Sequence, residues 1–324
     1  MRSRGIGILC AVSLLLAFFV GCEPRTENHQ TEPSAPLTVG FSQMEMTNPW
    51  RIAETISIQE TVKAHGMEIA VRDADSSVDK QISDCMELLD LPVDYLVLAP
   101  RVADGYQSVF QAAGERGIPV ILVDRDTEGE AGKDYLCSIM ADFELEARNC
   151  ARILAEKFDG RPCRIVELTG TEESSVARIR SRTFREEIKK YPNMEIVLSA
   201  SGDFVRTTAQ TAMENILQTE HPDFNAIFAH DDDTGIGAIQ ALKGAGLKPG
   251  TDVMVVSIAG QKDALKAIIA GELLASVECD PRLGERVCGA IESDRNGKTV
   301  KKQITYTGMV YDISNAEKYY DNAF

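Results

Sequence analysis

Residues 253–279 read VMVVSIAGQKDALKAIIAGELLASVEC. Val253 to Ile258 is a short, near-continuous apolar run of the kind that forms a strand buried on both faces. Asp263 to Ala270 carries apolar residues at helical spacing, and Leu274 to Cys279 is again a strand. Strand, helix and strand in so short a compass predict two parallel strands joined by a helical crossover.

The same alternation extends backwards to Leu37. A strand over Leu37 to Ser42 precedes a helix from Trp50 to Ala64, a strand over Met67 to Arg72 and a helix over Val78 to Leu89. Tyr95 to Ala99 is the third strand; Tyr106, Val109, Phe110 and Ala113 share a helix face. Pro119 to Val123 and Tyr135 to Met140 are the fourth and fifth strands. A second series then begins, with helices over Leu145 to Phe158 and Val176 to Lys190 around a strand at Arg164 to Leu168. A strand over Glu195 to Ala200 leads to an amphipathic helix bearing Ala209, Ala212, Met213, Ile216 and Leu217. Ala226 to Ala229 (strand) and Thr234 to Ala245 (helix) then lead into the opening stretch. After it come a helix near Leu283 to Asp294 and a Tyr-rich tail with strand-like Lys302 to Tyr306. The expectation is an α/β protein of two doubly wound, parallel-sheet lobes. In such sheets ligands bind beyond the carboxyl ends of the strands, which directs attention to the residues that follow each strand.

The first residues have another character. Two arginines within Met1 to Arg4 precede an apolar run from Ile6 to Val20, the layout of a secretory signal and too short for a comfortable membrane span. The run ends in Phe19-Val20-Gly21-Cys22, which resembles a bacterial lipobox, with Phe19 where Leu is usual. Residues 1–22 are therefore read as a lipoprotein signal with Cys22 the lipidated residue, and 23–36, rich in Pro, Glu and Thr, as a flexible tether. The alternative is an uncleaved anchor. A net charge of −16 argues against nucleic-acid or anionic-membrane surfaces. Six cysteines remain after the signal, Cys85, Cys137, Cys150, Cys163, Cys279 and Cys288, without C-x-x-C spacing or a Cys/His cluster. They are expected to be mostly free, buried thiols and not zinc ligands.

The unusual residues gather at strand ends. Asn48-Pro49-Trp50-Arg51 opens the first helix, and Trp50 is the single Trp of the chain. An indole there can stack on the C–H face of a sugar while Asn48 and Arg51 take hydroxyls; packing within the loop is the alternative. Asp124-Arg125 follows the fourth strand and offers vicinal hydroxyls both acceptors and planar donors, or else forms a surface ion pair. After Leu168 comes TGTEESS and a helix bearing Arg178, Arg180, Arg182 and Arg185, of which one is expected to enter a site. Glu172 and Glu173 would repel phosphate, and no phosphate-binding loop motif is present. Phe204, in Ser201-Gly202-Asp203-Phe204, is a candidate second aromatic wall. His230-Asp231-Asp232-Asp233 suits hydroxyl binding by one Asp, or capping of the helix from Thr234; consecutive residues rarely converge on a metal. No metal, cofactor, nucleophile or acid–base pair is expected.

Together these segments resemble the periplasmic sugar-binding family that serves ABC importers, of ribose- and galactose-binding type, and within it the galactofuranose-binding proteins. The matching segments are LTVGFSQ, WR with AET, LVDR, RPCRIVELTGT with SVA, SGDF, AH-DD with IGAIQALK-AGLKPG, and GE-LASVE. The resemblance implies the type I periplasmic binding fold, with three hinge segments near Met140, Cys279 and Tyr306. The lobes would be 37–140 plus 279–305 and 141–278 plus 306–324. It implies a binding role, not catalysis, for a monomer that closes on a sugar and presents it to an ABC permease. The alternative is presentation to a receptor kinase or chemoreceptor. Asn48, Trp50, Arg51, Asp124, Arg125, Arg178, Phe204 and Asp231 fall on the family's ligand positions. Two positions depart: Ala259 stands where an Asp is usual, and Cys279 where the ribose-binding pattern has Gln. A repressor of the lactose type would need a helix-turn-helix where the signal stands, and a secreted carbohydrate enzyme would need a poised carboxylate pair.

Overall fold

A computed structural model describes residues 35–218 and 223–324; the signal, Cys22 and all but the last two tether residues lie outside the described residues. The first series comprises β1 (Thr38–Gln43), α1 (Pro49–Ala64), β2 (Glu68–Asp73), α2 (Val78–Leu89), β3 (Tyr95–Leu98), α3 (Gln107–Arg116), β4 (Val120–Val123) and β5 (Cys137–Ala141). The second comprises α4 (Phe143–Phe158), β6 (Cys163–Thr169), α5 (Ser175–Ile188), β7 (Met194–Ser201), α6 (Arg206–Leu217), β8 (Ala226–Ala229), α7 (Asp232–Gly244), β9 (Met254–Ala259), α8 (Lys262–Ile269) and β10 (Ala275–Glu278). The chain ends with α9 (Gly284–Arg295), β11 (Gln303–Tyr306), β12 (Val310–Asp312) and α10 (Ala316–Tyr319).

The strands form two six-stranded sheets, ordered β11-β5-β4-β3-β1-β2 and β12-β10-β9-β8-β6-β7. The orders are equivalent, so each lobe repeats one doubly wound plan. The first sheet is wholly parallel. The second is parallel except for β12, which runs antiparallel to β10. This departs from the expectation of purely parallel sheets: three residues leave no periodicity to read, and a returning chain end needs no crossover helix. Strands β3 and β4, YLVL and VILV, are buried throughout because helices cover both faces.

Sheet membership changes three times, after Ala141, after Glu278 and after Tyr306. After the second change α9 packs on α1, and Gly284 permits the approach: a Cβ there would lie 2.5 Å from the Ser57 carbonyl oxygen. The cysteines Cys85, Cys137, Cys150, Cys163, Cys279 and Cys288 are free and buried, serving as small apolar side chains. No helix among the described residues is long and apolar enough to cross a membrane.

Candidate functional site

The carboxyl ends of both sheets face a shared cleft of about 510 Å³, measured to its solvent-open mouth. Each wall can be traced to the residues that follow one strand.

From the first sheet, β1 leads into the loop that ends at Asn48. The Asn48 side chain caps α1, accepting from the Trp50 N–H at 2.8 Å, and Pro49 occupies the first turn, where no N–H is needed. The Asn48 amide also donates to the Phe204 carbonyl of the other lobe at 3.0 Å. Trp50 is half-buried, with its indole N–H donating to the Cys279 carbonyl at 2.6 Å. Arg51 is buried against it, its guanidinium 4.8 Å from the ring centroid, paired with Glu54 at 2.9 Å and with Asp124. Burial pulls the Arg51 pKa down, but these two carboxylates more than reverse that and hold it above its ordinary value. Burial pushes Glu54 up to about 7 despite Arg51 and the Gln43 amide.

Asp124 and Arg125 follow β4. Asp124 adopts φ +61, a left-handed turn that Asp tolerates, and this aims both side chains into the cleft. Arg125 donates to the Arg101 carbonyl at 2.7 Å, lies 5.5 Å from the Phe204 ring centroid, and keeps a buried Nε with no hydrogen-bond partner among the described residues. Burial and the nearby Arg51 charge lower its pKa to about 10.

From the second sheet, Phe204 follows β7 with φ +58 and covers Gly170; a Cβ at Gly170 would stand 1.9 Å from the ring. On α5, Arg180 lines the cleft, fixed by Glu146 at 2.7 Å and by the His230 carbonyl at 2.7 Å. Arg178, the expected site arginine, does not enter: it is exposed, with its guanidinium 3.5 Å from the Glu173 carbonyl. Two residues along a helix rotate a side chain by about 200°, so the two arginines take opposite faces. Glu172 and Glu173 are also exposed, so they do not crowd the cleft.

The acidic cluster after β8 diverges. His230 is fully buried; its Nε2 lies 3.3 Å from Glu167, and its Nδ1 accepts from the Gly170 N–H at 3.4 Å, which suits the neutral ring that burial favours. Asp231 caps α7 through the Thr234 N–H at 2.8 Å and also lines the cleft, so capping and exposure to ligand coincide. Burial and the nearby Asp233 raise its pKa to about 7. Asp232 turns behind the sheet, accepting from Ser257, Ser276 and the Gln261 N–H. Asp233 pairs with Arg206 at 2.7 Å. Among the described residues no group of three His, Cys, Asp or Glu is placed to hold a metal.

Seven of the eight sequence-derived binding candidates therefore meet in one cleft: Asn48, Trp50, Arg51, Asp124, Arg125, Phe204 and Asp231. Residue reading missed Arg180, Gln261, Glu45 and Val176, which line it too. Arg180 carried a signal: with Val176, Ala177, Thr183, Phe184 and Glu187 it completes one buried helical face. Gln261 sits just beyond β9, at a strand end where cleft residues collect.

The lining holds three guanidiniums (Arg51, Arg125, Arg180) and three carboxylates (Glu45, Asp124, Asp231) between two aromatic rings. Balanced donors and acceptors at apolar rings suit a small neutral polar molecule. Burial holds the Cys279 thiol well above its ordinary pKa, so it offers no thiolate. Two lobes enclosing such a cleft define a ligand-binding protein. Residues 39–286 match the periplasmic binding protein domain, and the chain belongs to that family. It is 38% identical over 287 residues to the galactofuranose-binding protein YtfQ of Escherichia coli, covering 88% of this chain and 90% of that one. A solved relative is the binding component of the arabinose ABC transporter of Shewanella sp. ANA-3, bound to α- and β-L-arabinofuranose. It has a TM-score of 0.85 and 34% identity, covering 88% of this chain and 95% of that one. Another is the fructose-binding periplasmic domain of a hybrid two-component system, with a TM-score of 0.80 and 27% identity, covering 88% of this chain and 94% of that one. These relatives are binding proteins, not enzymes.

Proposed function

We propose that this protein captures a monosaccharide in furanose form between its lobes and delivers it to an ABC permease outside the cytoplasmic membrane. The observation that carries this reading is that Trp50 from one lobe and Phe204 from the other line the same cleft, together with the hydroxyl-competent groups of Asn48, Arg51, Asp124, Arg125 and Asp231. Flat aromatic faces suit the C–H faces of a sugar, and guanidinium–carboxylate pairs suit its hydroxyls. In this reading Arg180 takes the role that the family resemblance assigns to Arg178. The furanose form is supported by the relatives that bind galactofuranose and arabinofuranose. Ligand contacting both lobes favours the closed arrangement by its differential affinity, with the three inter-sheet passages as the hinge. Cys22 would carry the lipid that holds the protein at the membrane.

A thermal-shift screen against D-galactose, L-arabinose, D-ribose, D-fructose, sugar acids and polyols tests the reading. A ligand of the native state raises the melting temperature, by an increment that grows with concentration. Silence across the sugars would overturn it. The fructose-binding domain of a two-component system favours a second reading, in which the closed form is read by a receptor kinase. Co-purification of the sugar-loaded protein with a permease or with a kinase separates the two.

A further inference from the structure

One corner of the cleft is apolar. Ala259 ends β9 and Cys279 follows β10, and both are buried in the cleft wall. The Cys279 N–H donates to the Ala259 carbonyl at 3.1 Å, and the Cys279 carbonyl accepts from the Trp50 indole at 2.6 Å. Neighbouring polar groups are engaged behind the wall: the Gly260 N–H with Ser276 at 2.9 Å and the Gln261 N–H with Asp232 at 2.8 Å. The Cys279 side chain is buried, and a thiol is only a weak donor and acceptor. Ala259 holds φ +150, a region L residues rarely adopt, and Asp232 braces the turn just beyond it. This corner therefore presents a methyl group, a weakly polar thiol and an indole edge whose N–H is already bonded. Asp231, Gln261 and Arg125 keep the rest of the cleft polar.

A ligand hydroxyl moved from water into that corner would exchange its hydration for a methyl group, an indole edge and a thiol that is at best a weak partner, whereas a C–H or methyl group would fill it. We propose that the ligand is a deoxy sugar, whose C–H or methyl group packs into the corner formed by Ala259, Cys279 and Trp50. This rests on the reading of the cleft as a sugar site. An apolar pocket discriminates against an added hydroxyl by up to about 100-fold.

The test is calorimetric titration of the full-length protein with matched pairs: D-galactose against 6-deoxy-D-galactose and 2-deoxy-D-galactose, and L-arabinose against 5-deoxy-L-arabinose. At least one deoxy sugar is expected to bind tenfold or more tighter than its parent. In Ala259→Asp, which puts a hydrogen-bonding group in the corner, that preference should shrink at least tenfold. Parents that bind the wild type as tightly as every deoxy partner would overturn the inference and leave the sugar site standing. An absence of binding by all five, with a thermal shift from another sugar of the screen, would overturn the inference alone; silence across every sugar of the screen would overturn both. Should Ala259→Asp fail to fold, the wild-type pairs decide alone.

Discussion

Arg180 and Arg178 lie two positions apart on one helix and differ in every physical respect. Arg180 is buried with Glu146 as its partner, so truncating it strands a carboxylate away from water. Arg180→Met is expected to cost about 3–5 kcal/mol, the usual penalty for breaking a buried pair, in urea unfolding at pH 8. Arg178→Ala should change stability by no more than about 0.5 kcal/mol, as exposed substitutions do. The family resemblance points to Arg178, whereas the helix phase turns Arg180 into the cleft. Asp231 yields a second prediction. Its pKa in the folded chain, about 7, lies above its ordinary 3.8, so between these values the folded state keeps a proton that the unfolded chain has lost. Stability from this group is full below pH 4 and declines as pH rises through 7. Asp231→Asn should remove that decline and melt higher than wild type at pH 8 without ligand. Parallel melting curves for the two proteins across pH 4–8 would contradict the assignment.

Between elements, the closest fit is that of α6 on α7. Gly237 lets α7 approach so nearly that an added Cβ would stand 2.3 Å from the Arg206 carbonyl oxygen. Gly237→Ala is expected to destabilise by about 1–3 kcal/mol, the range for overpacking. Gly244, at the end of the same helix, has open space around its Cβ position, and Gly244→Ala should be neutral or gain up to about 1 kcal/mol. Thermal unfolding of both variants separates the two effects. Helices and strands of this kind were legible in sequence because burial on both sheet faces writes continuous apolar runs and amphipathic helices write a 3.6-residue period. The start of α7 was less so: Asp232 and Asp233 form its first turn, where their charges suit the helix dipole, although the pattern points to a start at Thr234. Strand β12 left no readable trace, since its three residues owe their conformation to β10.

For the molecule as a whole, two equivalent sheet orders bring their carboxyl edges to face each other, and that arrangement creates the cleft. Strand-end reasoning found most of its lining because it needs only the position of each residue along the chain. Contacts across the cleft were out of reach. The Asn48 amide meets the Phe204 carbonyl over 156 residues, and the Asp126 N–H meets the Ser175 hydroxyl at 3.0 Å over 49 residues. No local pattern encodes such partners. The central claim, capture of sugar between the lobes, is tested most directly by calorimetric titration of wild type, Trp50→Ala and Phe204→Ala with the sugar that gives the largest thermal shift. The account predicts one site per chain in the wild type, with affinity reduced at least tenfold by either substitution and melting temperatures that stay close. Full affinity in both variants would place the ligand outside the cleft and contradict it.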